Sequence, residues 1–327
     1  MWLRLIVSSW MRQQGRQVLQ NLVVEALRGE AAPRPPRPAH DDPSERPARR
    51  QQYSPSDSPQ PNSAQQPRPA CVAAFLFAME LEAAGLIERM TDKVTTQGSS
   101  FTEHDGFLDG ERVLVAITGV GADAAWQAAG DFIAVHRPPW VVSTGFAGGL
   151  VDVVRRGHFI MPQAIVTQPV ESSAGRRKGM PPADTEFTVG LRFPEETLVR
   201  MKSLHTGRLV SVDRVIREEA EKRRLGRRSD AVACDMETWA VAAACAAAKT
   251  RFLAVRVVTD AVDDPLPTEI ENLLEQKSVA GKLGAIAGAL LNRPSSVKDM
   301  WRLYEEATTA SGRLGKFLAS CLPSLRV

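Results

Sequence analysis

From residue 72 onward, short apolar runs alternate with segments whose apolar residues recur at helical spacing. Residues 72–77 (VAAFLF) read as a buried strand, and a helical pattern follows through Met90. Residues 112–118 (RVLVAIT) predict a second buried strand, then Gly119-Val120-Gly121 and an Ala-rich helix over 122–135. Residues 140–144 predict another strand, closed by Gly145-Phe146-Ala147-Gly148-Gly149. Gly157 to Ile160 leads into a strand around 164–167, and residues 172–205 are poorly patterned. Residues 208–212 are strand-like, 235–248 form an Ala-rich helical run, and 251–259 read as a strand whose single charge after its first residue is Arg256. From Lys277 on, the pattern is helical again, with Trp301, Leu303, Tyr304, Leu314, Phe317 and Leu318 as its large apolar positions; it either covers the domain or meets another subunit. Strands alternating with helices predict a sheet covered on both faces. In such folds ligands sit where strand C-terminal ends meet loops and helix N-termini.

The first 70 residues are different. Residues 31–70 carry eleven of the 22 prolines, interleaved with Arg, Ser, Gln and Asp, a composition that predicts disorder. Residues 1–30 allow an amphipathic helix, but Arg4, Arg12 and Arg16 and the lack of a cleavage-like site argue against a secretory signal. Two domains of unequal kind follow: an extension over 1–70 and an α/β domain with extra C-terminal helices over 71–327.

Composition narrows the function. The net charge of +3 comes from the extension, where ten Arg face six acidic residues; the remainder has 31 basic and 32 acidic residues. A nucleic-acid partner is therefore not expected. The basic cluster between Arg217 and Arg228, which includes Lys222, alternates with Glu218, Glu219 and Glu221 and reads as a solvated helix face. No run of about 18 apolar residues offers a membrane span. Cys71, Cys234, Cys245 and Cys321 show no paired or zinc-type spacing with the five histidines, so no metal or other cofactor is expected, and a reducing, cytoplasmic setting is.

Several polar residues fall at the predicted strand ends. Asp260 follows FLAVRVVT, as a proton donor in a cleft or as a helix-capping aspartate. Arg256 within that run needs a carboxylate if buried, for which Glu82 and Glu237 are the candidates, or else it faces solvent from an edge strand. Glu80 and Glu82 would point about 200° apart on a helix, so one of them faces the pocket. Glu237, behind Asp235 and Met236, either caps the Ala-rich helix or accepts hydrogen bonds from a sugar diol. The glycine segments match neither a dinucleotide fingerprint nor a phosphate-binding loop, and no nucleophile elbow is present.

Six segments, AMELEAAGL (78–86), TGVGADAA (118–125), STGFAGGL (143–150), SVDRVI (211–216), CDMETWAVA (234–242) and VRVVTDAVD (255–263), resemble in sequence and in order the nucleoside phosphorylase/nucleosidase superfamily. The resemblance is strongest to its 5′-methylthioadenosine/S-adenosylhomocysteine nucleosidases. It implies a three-layer α/β/α fold around a central mixed sheet, a homo-oligomer with a dimer favoured, and hydrolysis of the N-glycosidic bond of a purine nucleoside or thio-nucleoside. Alternatives are a phosphorylase of the same fold, with Arg176, Arg177 and Lys178 as phosphate ligands, or a non-catalytic nucleoside-binding scaffold.

By the same resemblance Asp260 protonates the purine, Glu82 activates water with support from Arg256, Glu237 binds the ribose hydroxyls and Met236 packs on the sugar. Phe146, Ala147, Gly148, Val215, Ile216 and Thr259 complete the substrate-binding set. The chain departs from the family pattern at Phe146, where a small polar residue is usual, at Val215, where an aromatic stacks on adenine, and at Thr259, which replaces a serine.

Overall fold

The computed structural model describes residues 68–168, 179–189, 203–266 and 294–326. The amphipathic segment expected over 1–30, the disorder expected over 31–70 up to Pro67, the basic triplet 176–178 and the start of the helical pattern at Lys277 lie outside the described residues. Arg68–Val327 forms one compact unit.

Among the described residues, twelve strands make a single mixed sheet. Its hub is β5 (Trp140–Gly149). Along one edge β5 pairs in parallel with β12 (Arg251–Asp260) over its whole length, from Arg251 opposite Trp140 to Asp260 opposite Gly148. Along its other edge the partner changes. Val141 to Ser143 pair in parallel with β1 (Ala73–Phe77), whereas Gly148 and Gly149 pair antiparallel with Cys234 and Ala233 of β11 (Ala231–Asp235). The sheet therefore forks beside Gly145-Phe146-Ala147. A fork leaves backbone N–H groups without a strand partner, and those groups must be satisfied by something else.

One branch runs from β1 through β4 (Glu111–Ile117) to the hairpin β2–β3 (Thr91–Gln97, Thr102–Leu108). The other runs from β11 through β10 (Arg208–Ser211) and β7 (Ala164–Thr167) to β8 (Phe187–Thr188). Beyond β12 lie β6 (Phe159–Ile160) and β9 (Leu204–His205). Strands β1 and β4 are buried on both faces, with Phe75, Phe77, Val113 and Val115 in one apolar cluster and Ala74, Leu76, Leu114 and Ala116 in another. That period of two explains why they read as continuous apolar runs.

Helices cover both faces. On the first, α1 (Glu80–Ile87) packs against the long helix α5 (Pro294–Cys321), whose Leu314 and Leu318 join Phe75 and Phe77. On the second, α2 (Ala122–His136) and α4 (Thr238–Ala248) pack through alanines and Phe132. Both α2 and α4, like α3 (Glu219–Ser229), end on a left-handed residue: Arg137, Lys249 and Asp230 respectively. The three-layer α/β/α expectation is met. No helix of the described residues is long and apolar enough to cross a membrane.

Two features differ from the sequence reading. The Ala-rich helix begins at Thr238, because Asp235 closes strand β11 instead of opening the helix. The β2–β3 hairpin follows Met90 where no strand was expected.

Helix α5 covers the domain, and it does so at very close range to α1. A Cβ on Gly315 would lie 2.3 Å from the Gly85 carbonyl oxygen, and one on Gly85 would lie 2.2 Å from that of Ser311. Gly312 faces open space. Gly315→Ala is therefore expected to lower stability by about 1–3 kcal/mol through overpacking. Gly312→Ala should raise it by up to about 1 kcal/mol through helix propensity. Urea unfolding of both variants checks the contrast, and equal effects would show that the helices do not meet at these glycines.

Candidate active site

The site is organised by a buried guanidinium. Arg256 lies midway along β12 among Val255, Val257 and Val258, and it is only 3% exposed. Such a charge requires a carboxylate. The structure supplies Asp235, not Glu82 or Glu237 as the sequence suggested: Arg256 Nη2 lies 2.7 Å and Nε 2.9 Å from Asp235 Oδ2. The Thr238 hydroxyl accepts from Arg256 Nη2 at 2.7 Å and donates to Asp235. Ser143 Oγ accepts from the same Nη2 at 3.0 Å. Asp235 is held further by the Ser211 hydroxyl at 2.6 Å and the Thr238 amide at 3.0 Å. That last bond caps α4, a role the sequence offered to Glu237. Asp235, Ser143, Ser211 and Thr238 were not picked out beforehand. A buried Arg in an apolar strand announces a partner without saying which acid it is.

Glu82 fills the fork in the sheet. Its Oε2 accepts the amides of Ala78 and Met79, both at 3.0 Å, which satisfies the start of α1. Its Oε1 accepts the Phe146 amide at 2.8 Å, just where β5 has left β1. Gly145 has φ +149°, and a Cβ there would lie 2.5 Å from Glu82 Oε1 and 2.9 Å from Arg256 Nη1, so only glycine admits both side chains. Of the two glutamates in this helix, Glu82 is buried and Glu80 exposed. Burial pushes the Glu82 carboxyl above its ordinary range, while Arg256 and the three amides pull it back.

Glu237 is half-buried and accepts the Gly121 amide at 2.7 Å through Oε1, which ties the GVG turn to the start of α4. Burial and then the nearby carboxyls of Asp235 and Glu82 push its pKa up to about 8, against an opposing pull from Arg256.

At the far end of β5, Asp260 is buried opposite Gly148, whose Cβ position lies 3.0 Å from Asp260 Oδ2. Asp260 Oδ1 accepts the Thr259 hydroxyl at 2.9 Å. Oδ2 pairs at 2.6 Å with Nζ of Lys222, a lysine with no exposed surface. Burial raises the Asp260 carboxyl above its ordinary range and Lys222 opposes this. The solvated-face reading of the Arg217–Arg228 cluster thus fails at Lys222. Lys222, Leu225 and Gly226 form the buried stripe of α3, at helical spacings of three and four.

Among the remaining expected residues, Ala147 and Gly148 lie on β5 between Phe146 and the fork's end. Phe146 is partly buried and packs on the main core cluster. Met236 is half-buried and packs on the cluster that contains Leu150, Val210 and the buried Ile216, with Val215 next to Ile216 in the chain. Among the described residues, no group of His, Cys, Asp and Glu is arranged to hold a metal.

The mixed sheet between two layers of helices is the fold expected of the nucleoside phosphorylase/nucleosidase superfamily. Consistent with that, the sequence model of the Phosphorylase superfamily matches residues 72–292, and the chain belongs to that family. The 5′-methylthioadenosine/S-adenosylhomocysteine nucleosidase of Colwellia psychrerythraea is 27% identical over 239 residues, covering 67% of this chain and 98% of the relative. That of Shewanella loihica is 28% identical over 61% of this chain and 90% of the relative. Two solved structures share the fold. The Neisseria meningitidis nucleosidase of that name, in complex with methylthio-immucillin-A, has a TM-score of 0.57 at 23% identity, covering 77% of this chain and 98% of its own. The futalosine hydrolase of Helicobacter pylori has a TM-score of 0.58 at 18% identity, covering 77% and 97%.

The raised Glu237 carboxyl has a stability consequence. Between its ordinary value of 4.5 and about 8 the folded protein holds a proton that the unfolded chain has lost. The stabilisation is therefore whole below that window and is lost as pH rises through it. Glu237→Gln should flatten the fall of the urea midpoint between those pH values, and an unchanged slope would mean that Glu237 ionises as freely folded as unfolded.

Proposed function

We propose that the protein hydrolyses the N-glycosidic bond of a purine nucleoside or thio-nucleoside, of the methylthioadenosine or S-adenosylhomocysteine type, to free base and sugar. The observation that carries this reading is the placing of two carboxyl groups on one glycine segment. Glu82 sits on the Phe146 amide and Asp260 opposite Gly148, two residues further along β5. Cleavage passes through an oxocarbenium-like state, so a proton given to the base and a carboxylate near the sugar both lower its energy.

In this reading Asp260 donates the proton to the departing purine, whose charge is thereby neutralised. Glu82 orients water and accepts its proton, and Arg256 acts through the shared electrostatic field instead of by a hydrogen bond to Glu82. Glu237 accepts from the ribose hydroxyls and Met236 packs on the sugar. Ala147, Gly148, Val215, Ile216 and Thr259 surround the base, and Phe146 narrows the water side. Hydrolysis is favoured over phosphorolysis because a buried carboxylate at Glu82 would repel an incoming phosphate. The protein is further proposed to work in the cytoplasm as a homodimer, without nucleic acid as a partner. Its four cysteines, all free, fit a reducing compartment.

Purified full-length protein incubated with methylthioadenosine, S-adenosylhomocysteine, adenosine and inosine, each with and without phosphate, tests this by chromatography of the free base. Base release without phosphate is expected, and release only with phosphate would make the protein a phosphorylase. Asp260→Asn should lower kcat by about 10²–10⁴-fold with the fold intact; near-normal turnover would remove Asp260 from the chemistry.

A further inference from the structure

Lys222 enters the site from a helix whose sequence, EAEKRRLGRRS, is predominantly charged. Every other basic side chain of α3 is at least partly exposed, whereas Lys222 has no exposed surface. Its ammonium meets three acceptors: Asp260 Oδ2 at 2.6 Å, the Ala261 carbonyl at 2.8 Å and the Asp264 carbonyl at 2.8 Å. Three acceptors around one nitrogen match the three N–H donors of an ammonium and leave none for another ligand. Burying a lysine this deeply is costly unless it is paired, and among the described residues the carboxylate it pairs with is Asp260.

The contact has a geometric result. With Oδ2 engaged by Lys222, the other oxygen of Asp260, Oδ1, has among the described residues the Thr259 hydroxyl as its hydrogen-bond partner, a group that rotates to donate or accept. The turn after β12 is clamped by the same lysine. Ala261 and Asp264 both accept from it, and Asp264 Oδ2 in turn accepts the Ala261 amide at 2.9 Å and pairs with Arg156 at 2.9 Å. Asp260 is thus fixed through one oxygen and through the chain that follows it. The other charged or titratable groups around Asp260 are Asp264 on this turn, Arg156 before β6 and the thiol of Cys234 on β11.

We propose that Lys222 is a positioning residue for the general acid: its ammonium holds Asp260 by Oδ2, directs Oδ1 to the substrate, and stabilises the carboxylate left when the Oδ1 proton passes to the purine. The balance is simple. The Oδ1–H bond breaks, a bond from that proton to the base nitrogen forms, and the electron pair stays on Asp260 beside the cation. This rests on the reading of Asp260 as the proton donor. It explains how an acid enclosed in apolar surroundings gives up its proton, since removing the cation would leave the product carboxylate uncompensated.

The test compares full-length wild type with Lys222→Met, Lys222→Arg and Asp260→Asn. For each, the pH dependence of kcat on methylthioadenosine is measured beside the melting temperature. Lys222→Met is expected to lower kcat at least about tenfold and to move the alkaline limb of the kcat profile up by about 1–3 pH units, because burial then acts on Asp260 unopposed. Lys222→Arg, which restores the cation, should return the limb to within about half a unit of its original position. In an Asp260→Asn background, Lys222→Met should change kcat less than twofold. If Lys222→Met lowers only the melting temperature, with kcat and the limb as in wild type, the role is structural and the proposal falls.

Should Lys222→Met not fold, Lys222→Gln keeps two donors without the charge and is read by the same limb. Asp260 itself is followed without turnover in protein labelled with 13C at aspartate carboxyls, its signal assigned by its loss in Asp260→Asn. An Asp260 titration that ignores Lys222→Met or Lys222→Gln overturns the proposal even if no nucleoside is cleaved. A shifted titration together with full activity of Asp260→Asn would instead remove the acid role on which the proposal rests.

Discussion

A guanidinium in the middle of a buried parallel strand has to be neutralised and hydrogen-bonded, and much of the architecture around the site answers that need. Arg256 takes its carboxylate from β11, a hydroxyl from β5 and another from the first residue of α4. These are the elements that meet where the sheet forks. The pair therefore does more than neutralise charge, since it pins the antiparallel branch β11 against the strand it joins, at the level where β1 has just departed. Pairs of this kind add little net stability compared with an apolar replacement, but breaking one by removing a single partner is costly. The fork is thus held in one geometry by a group that tolerates few substitutes.

Within that frame the two carboxyl groups proposed for chemistry are held by different means. Glu82 is fixed by three backbone amides, which constrain its direction strongly and add no formal charge. Asp260 is fixed by a cation, a serine-like hydroxyl and the turn behind it. Two carboxyls in unlike environments can hold unlike protonation states at one pH, which acid–base chemistry on either side of a glycosidic bond requires. Glu237, raised by its acidic neighbours, is poised differently again.

The strands buried on both faces were legible in the sequence because their central residues form unbroken apolar runs, and the helices α2 and α4 because alanine dominates them. The β2–β3 hairpin was not. All of Thr91–Gln97 is exposed on an edge, so no alternation of apolar and polar positions marks it, and the inward positions of the neighbouring strand are His104, Gly106 and Leu108. Glu82, Arg256, Glu237 and Asp260 stood out because charge at the end or middle of an apolar run is anomalous. Asp235 hid beside Glu237, since a pair of acids ahead of an Ala-rich helix reads as helix-start chemistry. Lys222 hid in a charged segment where composition outweighs spacing; its one signal was that Leu225 and Gly226 share its helical face. What no single chain discloses is which of several nearby acids a buried cation chooses, because that depends on the register between strands far apart in sequence.

The contact of α1 with α5 bears on how the protein is assembled during synthesis. The Ser311 hydroxyl donates to the Glu82 carbonyl at 3.0 Å and accepts the Gly85 amide at 2.9 Å, across 229 and 226 residues of chain. The helix that carries Glu82 has eight residues, too few to persist alone in water. Its packing partner leaves the ribosome only after every strand of the described sheet has been made. The first active-site element to be translated is therefore among the last to be seated, and the nascent chain passes through a stage in which the sheet is complete on paper but one face is still open to other hydrophobic surfaces.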